Sequence, residues 1–200
     1  MSRCAAFAMM PACAIVDSFD FGSVKTVVDL GGGNGSLLRA ILNRHPSSKG
    51  ILFDLAPVIE AALTEETEGI DLVGRPGDIF KSTPANCDVY ILRHVVHDWN
   101  DEDAARILRS CAASMSTDSV LLIIEAIVSE DTIDTRTAWA DVGLMAVCDG
   151  KERKLVEFES LCRKAGLKIV ELSDLGARTN AKILQTRKRE LSTWRQDYPS

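Results

Sequence analysis

An α/β fold built on a doubly wound, mostly parallel sheet is the class this sequence predicts. Three observations predict it. Strand-like apolar runs alternate with helix-compatible stretches along the chain. The first run, Val27-Val28-Asp29-Leu30, passes straight into Gly31-Gly32-Gly33-Asn34-Gly35. A glycine turn between a strand and a helix is where open α/β sheets receive nucleotide-type ligands. Val24 to Leu30 shows no strict alternation and Val120 to Ile124 is continuously apolar, as expected of parallel strands covered on both faces.

The elements follow in order. After the first strand, Leu37, Leu38, Ile41 and Leu42 make a helical stripe between Ser36 and Arg44, and Pro46 lies beyond its end. Gly50 to Asp54 is a second strand ending in an acid, and Pro57 opens the next helix. Ile70 to Val73 is a weak third strand, with Gly77-Asp78-Ile79-Phe80 as the loop after it. Cys87 to Leu92 is a fourth strand. Asp101 is expected to cap the helix carrying Ala105, Ile107, Leu108, Cys111 and Met115. Val120 to Ile124 is the strongest strand signal and ends in Glu125. Helices are expected from Arg136 to Cys148 and from Leu155 to Ala165. Two short strands, Leu167 to Leu172 and Ala181 to Thr186, close the fold, about seven strands in all.

Composition narrows the function classes. Two hundred residues with 46% apolar content make one domain with a full core. The net charge of −6 is dispersed, and no basic stripe with interleaved aromatics occurs, which argues against nucleic acid. Six scattered cysteines read as buried thiols in a reducing, cytoplasmic compartment. No CxxC pair or histidine cluster stands in the sequence, so no metal is expected. No run reaches the length of a membrane span. Met1 to Ile15 reads as a packing helix rather than a signal peptide.

The glycine turn departs from the dinucleotide fingerprint. Gly-x-Gly-x-x-Gly wants its last glycine where Ser36 stands, and Gly35 comes one position early. No Lys-Ser or Lys-Thr pair follows, so the loop is not a P-loop. Asp54, at the end of the second strand, can accept hydrogen bonds from both hydroxyls of a ribose, which suits any adenosine cofactor. His97 lies just past the fourth strand, and Glu125 ends the fifth at the same edge of the sheet. A neutral imidazole can take a proton, and a neighbouring carboxylate can hold its tautomer and stabilise its cation. Glu125 closes a buried apolar run, and a buried acid needs a partner. His94 is a rival base, read here as structural.

Five segments, in order, resemble S-adenosylmethionine-dependent small-molecule O-methyltransferases of the plant phenylpropanoid and flavonoid, hydroxyindole and microbial natural-product type. They are Asp29 to Gly35, Phe53-Asp54-Leu55-Ala56-Pro57-Val58, Gly77 to Phe80, Leu92-Arg93-His94-Val95-Val96-His97-Asp98-Trp99-Asn100-Asp101, and Gly150-Lys151-Glu152-Arg153. Ala56 stands where the family usually has proline. The resemblance implies a class I methyltransferase sheet of Rossmann-like type with the last strand antiparallel. It implies methyl transfer from S-adenosylmethionine to a hydroxyl, expected to be phenolic, on a small aromatic metabolite. Gly31 and Gly33 would line the methionine part of the cofactor, Asp54 would hold the ribose hydroxyls, Asp78 and Ile79 would border the adenine, and Leu55 is a further cofactor-binding candidate. Arg93 takes the place of a lysine that meets the cofactor carboxylate, and Trp99 would pack near the adenine. His97 matches the catalytic base, with Glu125 and Glu152 as the acids that flank it.

The acceptor would meet the Arg136 to Cys148 helix and its end, where Trp139, Asp141, Leu144, Met145 and Asp149 are candidates. Family members carry a further N-terminal region that forms a homodimer and closes the substrate pocket. Residues 1–20 are expected to be a remnant of the linker helix from that region, 21–188 the catalytic domain and 189–200 a polar tail. Without that region the dimer is in doubt and activity is expected to suffer. Two other readings stay open from the residues: a nicotinamide-dependent oxidoreductase and a non-catalytic cofactor-binding or interaction protein.

Overall fold

A computed structural model describes residues 12–64, 69–128, 150–175 and 181–189. The segment expected to form the Arg136 to Cys148 helix, with all five acceptor-site candidates, lies outside the described residues, as do residues 1–11 and 190–200.

Seven strands form one sheet in the order β3-β2-β1-β4-β5-β7-β6. They are β1 (Thr26–Leu30), β2 (Lys49–Asp54), β3 (Asp71–Pro76), β4 (Val89–Arg93), β5 (Val120–Ala126), β6 (Leu167–Asp174) and β7 (Ala181–Lys188). β7 runs antiparallel to both of its neighbours, β5 and β6, and the other pairings are parallel. The chain order reverses between β1 and β4. The carboxyl ends of these two strands therefore diverge, leaving a crevice of the kind in which open α/β sheets bind ligands.

Alternate residues of the central strands feed two opposite cores. Val28, Leu30, Tyr90, Leu92, Leu121 and Ile123 belong to one, and Val27, Ile91, Leu122 and Ile124 to the other. Both faces are covered, which is why the strand sequences do not alternate in polarity. The second face carries α1 (Ala12–Ser18), α2 (Ser36–Arg44) and α3 (Ala56–Ala62). The first carries α4 (Asp101–Ser114) and α5 (Leu155–Lys164). The α2 stripe of Leu37, Leu38, Ile41 and Leu42 is buried as expected, each such side chain contributing about 1.5–3 kcal/mol of hydrophobic stabilisation.

The structure corrects some local expectations. Asn100, not Asp101, caps α4: its Oδ1 accepts from the N–H groups of Glu102 and Asp103, both at 3.0 Å. Asp101 is the first helical residue, where its negative charge suits the helix dipole. The third strand starts at Asp71 and runs on to Pro76, in register with Asp54 of β2. β3 is an edge strand, so a terminal proline costs no ladder bond.

Candidate active site

Two connections at the β1/β4 crevice carry the candidate residues. After β1, Gly31, Gly33 and Gly35 all have positive φ, at 69°, 59° and 75°. A Cβ added to Gly33 would meet nothing within 4 Å, so the loop backbone borders open space. Asp54 is aimed at this loop. Its Oδ2 accepts from Gly33 N at 3.0 Å and its Oδ1 from Leu55 N at 2.7 Å. The carboxylate is thus held in place before any ligand arrives. Leu55 beside it leaves 59% of its surface exposed, an apolar side chain at the rim of the crevice.

Asp78 accepts from Phe80 N at 3.0 Å and faces Lys81 at 3.3 Å. The Phe80 N–H above all, helped by Lys81 and Arg106, holds its carboxyl below the usual range against the opposing effect of burial. Ile79, Phe80 and Trp99 pack together against the first core. The Phe80 and Trp99 rings meet edge to face at 4.7 Å, a contact worth about 0.5–1.5 kcal/mol beyond its buried area. Trp99 is therefore partly a packing residue. Arg93 closes β4. Burial pulls its guanidinium down in pKa, and Asp29 opposes this. Asp29, buried at the end of β1, is pushed up to about 7, mainly by burial and in part by Asp54, while Arg93 works the other way.

The second connection holds the histidines. A single 3₁₀ turn, Val96–Asp98, follows β4 and buries His97. Glu125, at the end of β5, is fully buried beneath it. Glu125 Oε1 accepts from the backbone N–H groups of Val95, Val96 and His97 at 3.1, 2.9 and 3.3 Å. Its Oε2 lies 3.1 Å from His97 Nδ1 and 3.7 Å from His94 Nδ1. Glu152 Oε1 lies 3.8 Å from the same His97 nitrogen. The structure thus brings His97, Glu125 and Glu152 together as the sequence predicted. Nε2, on the far side of the ring, makes no hydrogen bond among the described residues and lies 3.4 Å from Asp98 Oδ1.

Charge decides the state of this group. Burial alone would lower the pKa of His97, but Glu125, then Glu152 and Asp98, outweigh it and raise the imidazole to about 9. Burial would raise Glu125, yet His97 and His94 bring it down to about 2. The two values describe one ion pair seen from its two ends.

His94 lies against the same group. Its ring stacks on that of His97 at 5.5 Å, and its backbone takes a φ of 52°, uncommon for a residue with a side chain. No periodicity marks such a residue; a histidine three before His97 was the only sign. One nitrogen each of His94 and His97 and one Glu125 oxygen all lie within 4.8 Å of one another, a grouping that could also hold a metal ion. Asp29 and Arg153 are further buried charges whose importance sequence reading missed.

Comparison with known proteins gives the same architecture. The chain is 39% identical over 167 residues to mitomycin biosynthesis 6-O-methyltransferase of Streptomyces lavendulae, covering 82% of this chain and 47% of that protein. It is 38% identical over 165 residues to phenazine O-methyltransferase PhzM of Lysobacter antibioticus, covering 81% and 48%. Among solved structures, mitomycin 7-O-methyltransferase MmcR superposes with a TM-score of 0.85 at 36% identity, over 89% of this chain and 53% of that one. The neocarzinostatin O-methyltransferase NcsB1, solved with S-adenosylmethionine and 2-hydroxy-5-methyl naphthoic acid, gives 0.78 at 31%, over 88% and 52%. The chain thus spans about half the length of the relatives it matches. The family model described as the O-methyltransferase domain matches residues 6–168, and the chain belongs to that family.

Proposed function

We propose that this chain binds S-adenosylmethionine and transfers its methyl group to a phenolic hydroxyl of a small aromatic compound, with His97 as general base. One observation carries the reading. His97 is 4% exposed, its Nδ1 lies within ion-pair distance of the Glu125 and Glu152 carboxylates, and its Nε2, 3.4 Å from Asp98 Oδ1, makes no hydrogen bond to a described residue. A buried imidazole arranged this way suits taking a proton at Nε2 while the resulting cation is stabilised through Nδ1.

The residues present fit the cofactor. Asp54 is preset to accept the two ribose hydroxyls. The Gly31 to Gly35 loop leaves open space where a side chain would stand. Arg93 supplies a cation for the carboxylate, and Leu55, Asp78, Ile79 and Trp99 border the adenine end. When bound, S-adenosylmethionine supplies a methyl group activated by a positive sulfur. The chain's own task is then to align and deprotonate the acceptor. The acceptor hydroxyl gives its proton to His97 Nε2, and Glu125 and Glu152 hold the imidazolium in place. A phenol near pKa 10 and an imidazole raised to about 9 are closely matched for proton transfer.

NcsB1 was solved with 2-hydroxy-5-methyl naphthoic acid, and the relatives named above are a mitomycin biosynthesis 6-O-methyltransferase and a phenazine O-methyltransferase. These support a small aromatic acceptor here. The test is calorimetric titration with S-adenosylhomocysteine. Micromolar binding that is lost in Asp54→Ala supports the reading. A folded protein that binds none overturns it.

A further inference from the structure

We propose that Arg153 is a positioning residue for His97. Its guanidinium grips the backbone on both sides of the base and so brings Glu152 against the imidazole. The proposal rests on the reading of His97 as the base.

Arg153 is 0% exposed. All three of its guanidinium nitrogens are engaged. Nε donates to Asp101 Oδ1 at 3.0 Å, Nη1 to the Val96 carbonyl at 2.9 Å and Nη2 to the Trp99 carbonyl at 2.6 Å. Val96 and Trp99 bracket His97 in sequence, so one side chain fixes the turn that carries it. The two carbonyls are met by different guanidinium nitrogens, and a planar fork with five N–H groups can reach both and a carboxylate at once. A lysine offers one charged nitrogen and cannot.

The backbone of the same segment is tied on both sides. Lys151 N donates to the His97 carbonyl at 3.0 Å, and the Arg153 carbonyl accepts from Val128 N at 3.0 Å, just past the end of β5. Ile127 and Arg153 form a parallel bridge. Gly150 lies so close that an added Cβ would collide with the His97 carbonyl and the Asp98 backbone. Glu152 sits between these ties, with a side chain only 5% exposed, 3.8 Å from His97 Nδ1. Lys151 Nζ adds an outer brace to Asp101 at 3.3 Å and Glu157 at 2.7 Å. The Gly150 to Arg153 segment therefore acts as a latch between the turn bearing His97 and the strand bearing Glu125.

The charged and titratable groups facing His97 are Glu125 from β5, Glu152 from the latch, Asp98 from its own turn and His94 from the end of β4. Loosening the latch withdraws Glu152 first. Arg153→Lys keeps the buried charge while losing the fork, so a changed His97 titration in it reports geometry rather than charge.

The chain has three histidines, so the imidazole resonances of His45, His94 and His97 can be assigned by single replacements and titrated by NMR. In Arg153→Lys the His97 midpoint is expected to fall by about one pH unit. Turnover of a phenol acceptor is expected to fall on the order of 10²-fold, with a much smaller change in affinity for S-adenosylhomocysteine. A folded Arg153→Lys protein whose His97 titrates as in the wild type overturns the proposal, even if its melting temperature is lower. Should that variant fail to fold, Asp101→Asn removes Arg153's carboxylate partner while leaving both carbonyl bonds. It must shift His97 in the same direction by less, and an unmoved midpoint is equally decisive. A His97→Ala protein with full activity would instead sink the general-base reading, whatever Arg153 does.

Discussion

His97 and Glu125 are joined through both oxygens of one carboxylate. Oε2 stands 3.1 Å from the imidazole Nδ1, and Oε1 accepts from the backbone N–H of His97 itself and of the two residues before it. The acid therefore holds the loop and the ring together. Its position follows from strand pairing, because Arg93 and Ile124 are opposite each other and Glu125 comes next on β5.

The pH dependence of activity follows from this pair. With His97 raised to about 9, the proton-free base is the minority form at neutral pH. The rate at low acceptor concentration should therefore climb with pH and level off near that value. Glu125→Gln removes the first-named attractive charge, so its rising limb should move to lower pH while the maximal rate falls. A pH–rate profile of both proteins checks this, and a limb that stays in place contradicts it.

Stability should bend at both ends of the pH scale. His97 titrates at about 9 in the fold and near 6.5 ordinarily. The stability it contributes is complete below about pH 6.5 and is lost as the pH rises through 9. Glu125 falls from 4.5 to about 2, so its contribution is complete above about pH 4.5 and is lost as the pH falls through 2. Melting temperatures measured from pH 3 to 10 should lose their alkaline decline in His97→Gln.

Asp54→Ala should weaken S-adenosylhomocysteine binding at least tenfold. Hydrogen bonds to a charged group contribute about 1.5–3 kcal/mol. The loss should exceed the effect of Asp78→Ala, because in the proposed reading Asp54 meets both ribose hydroxyls while Asp78 makes a single polar contact at the adenine end. Calorimetry on the two variants ranks them.

Gly150→Ala should be damaging although it adds one methyl group. The new carbon would collide with the His97 carbonyl, and overpacking of this kind costs about 1–3 kcal/mol. Thermal unfolding together with the rate reads both consequences. Gly69→Ala, where the added carbon meets nothing, is the comparison; its positive φ gives it a strain cost but no effect on the rate.

Much of this was legible in the sequence, for reasons that differ by residue. Strands such as Val120 to Ile124 declare themselves by continuous apolar runs, and Asp54, His97 and Glu125 stand at strand ends, where a parallel sheet collects its ligands. Glu152 is on a loop, and only its motif indicated where it belongs. Arg153 stands in a run of charged residues, and charge patterning does not reveal that its buried guanidinium will find three acceptors. The strand order depended on pairings far apart in the chain, which local pattern does not encode. Asp101 and Asn100 are both good caps, and only the backbone geometry distinguished them.

The most direct test is transfer of labelled methyl from S-adenosylmethionine to a panel of phenols, run on the wild type and on His97→Gln with S-adenosylhomocysteine binding measured in parallel. The account predicts methylation of at least one phenol by the wild type, a loss of about 10²–10⁴-fold in the variant, and similar cofactor affinity in both. Equal rates in the two proteins, or a wild type that binds cofactor and methylates no phenol, would contradict it.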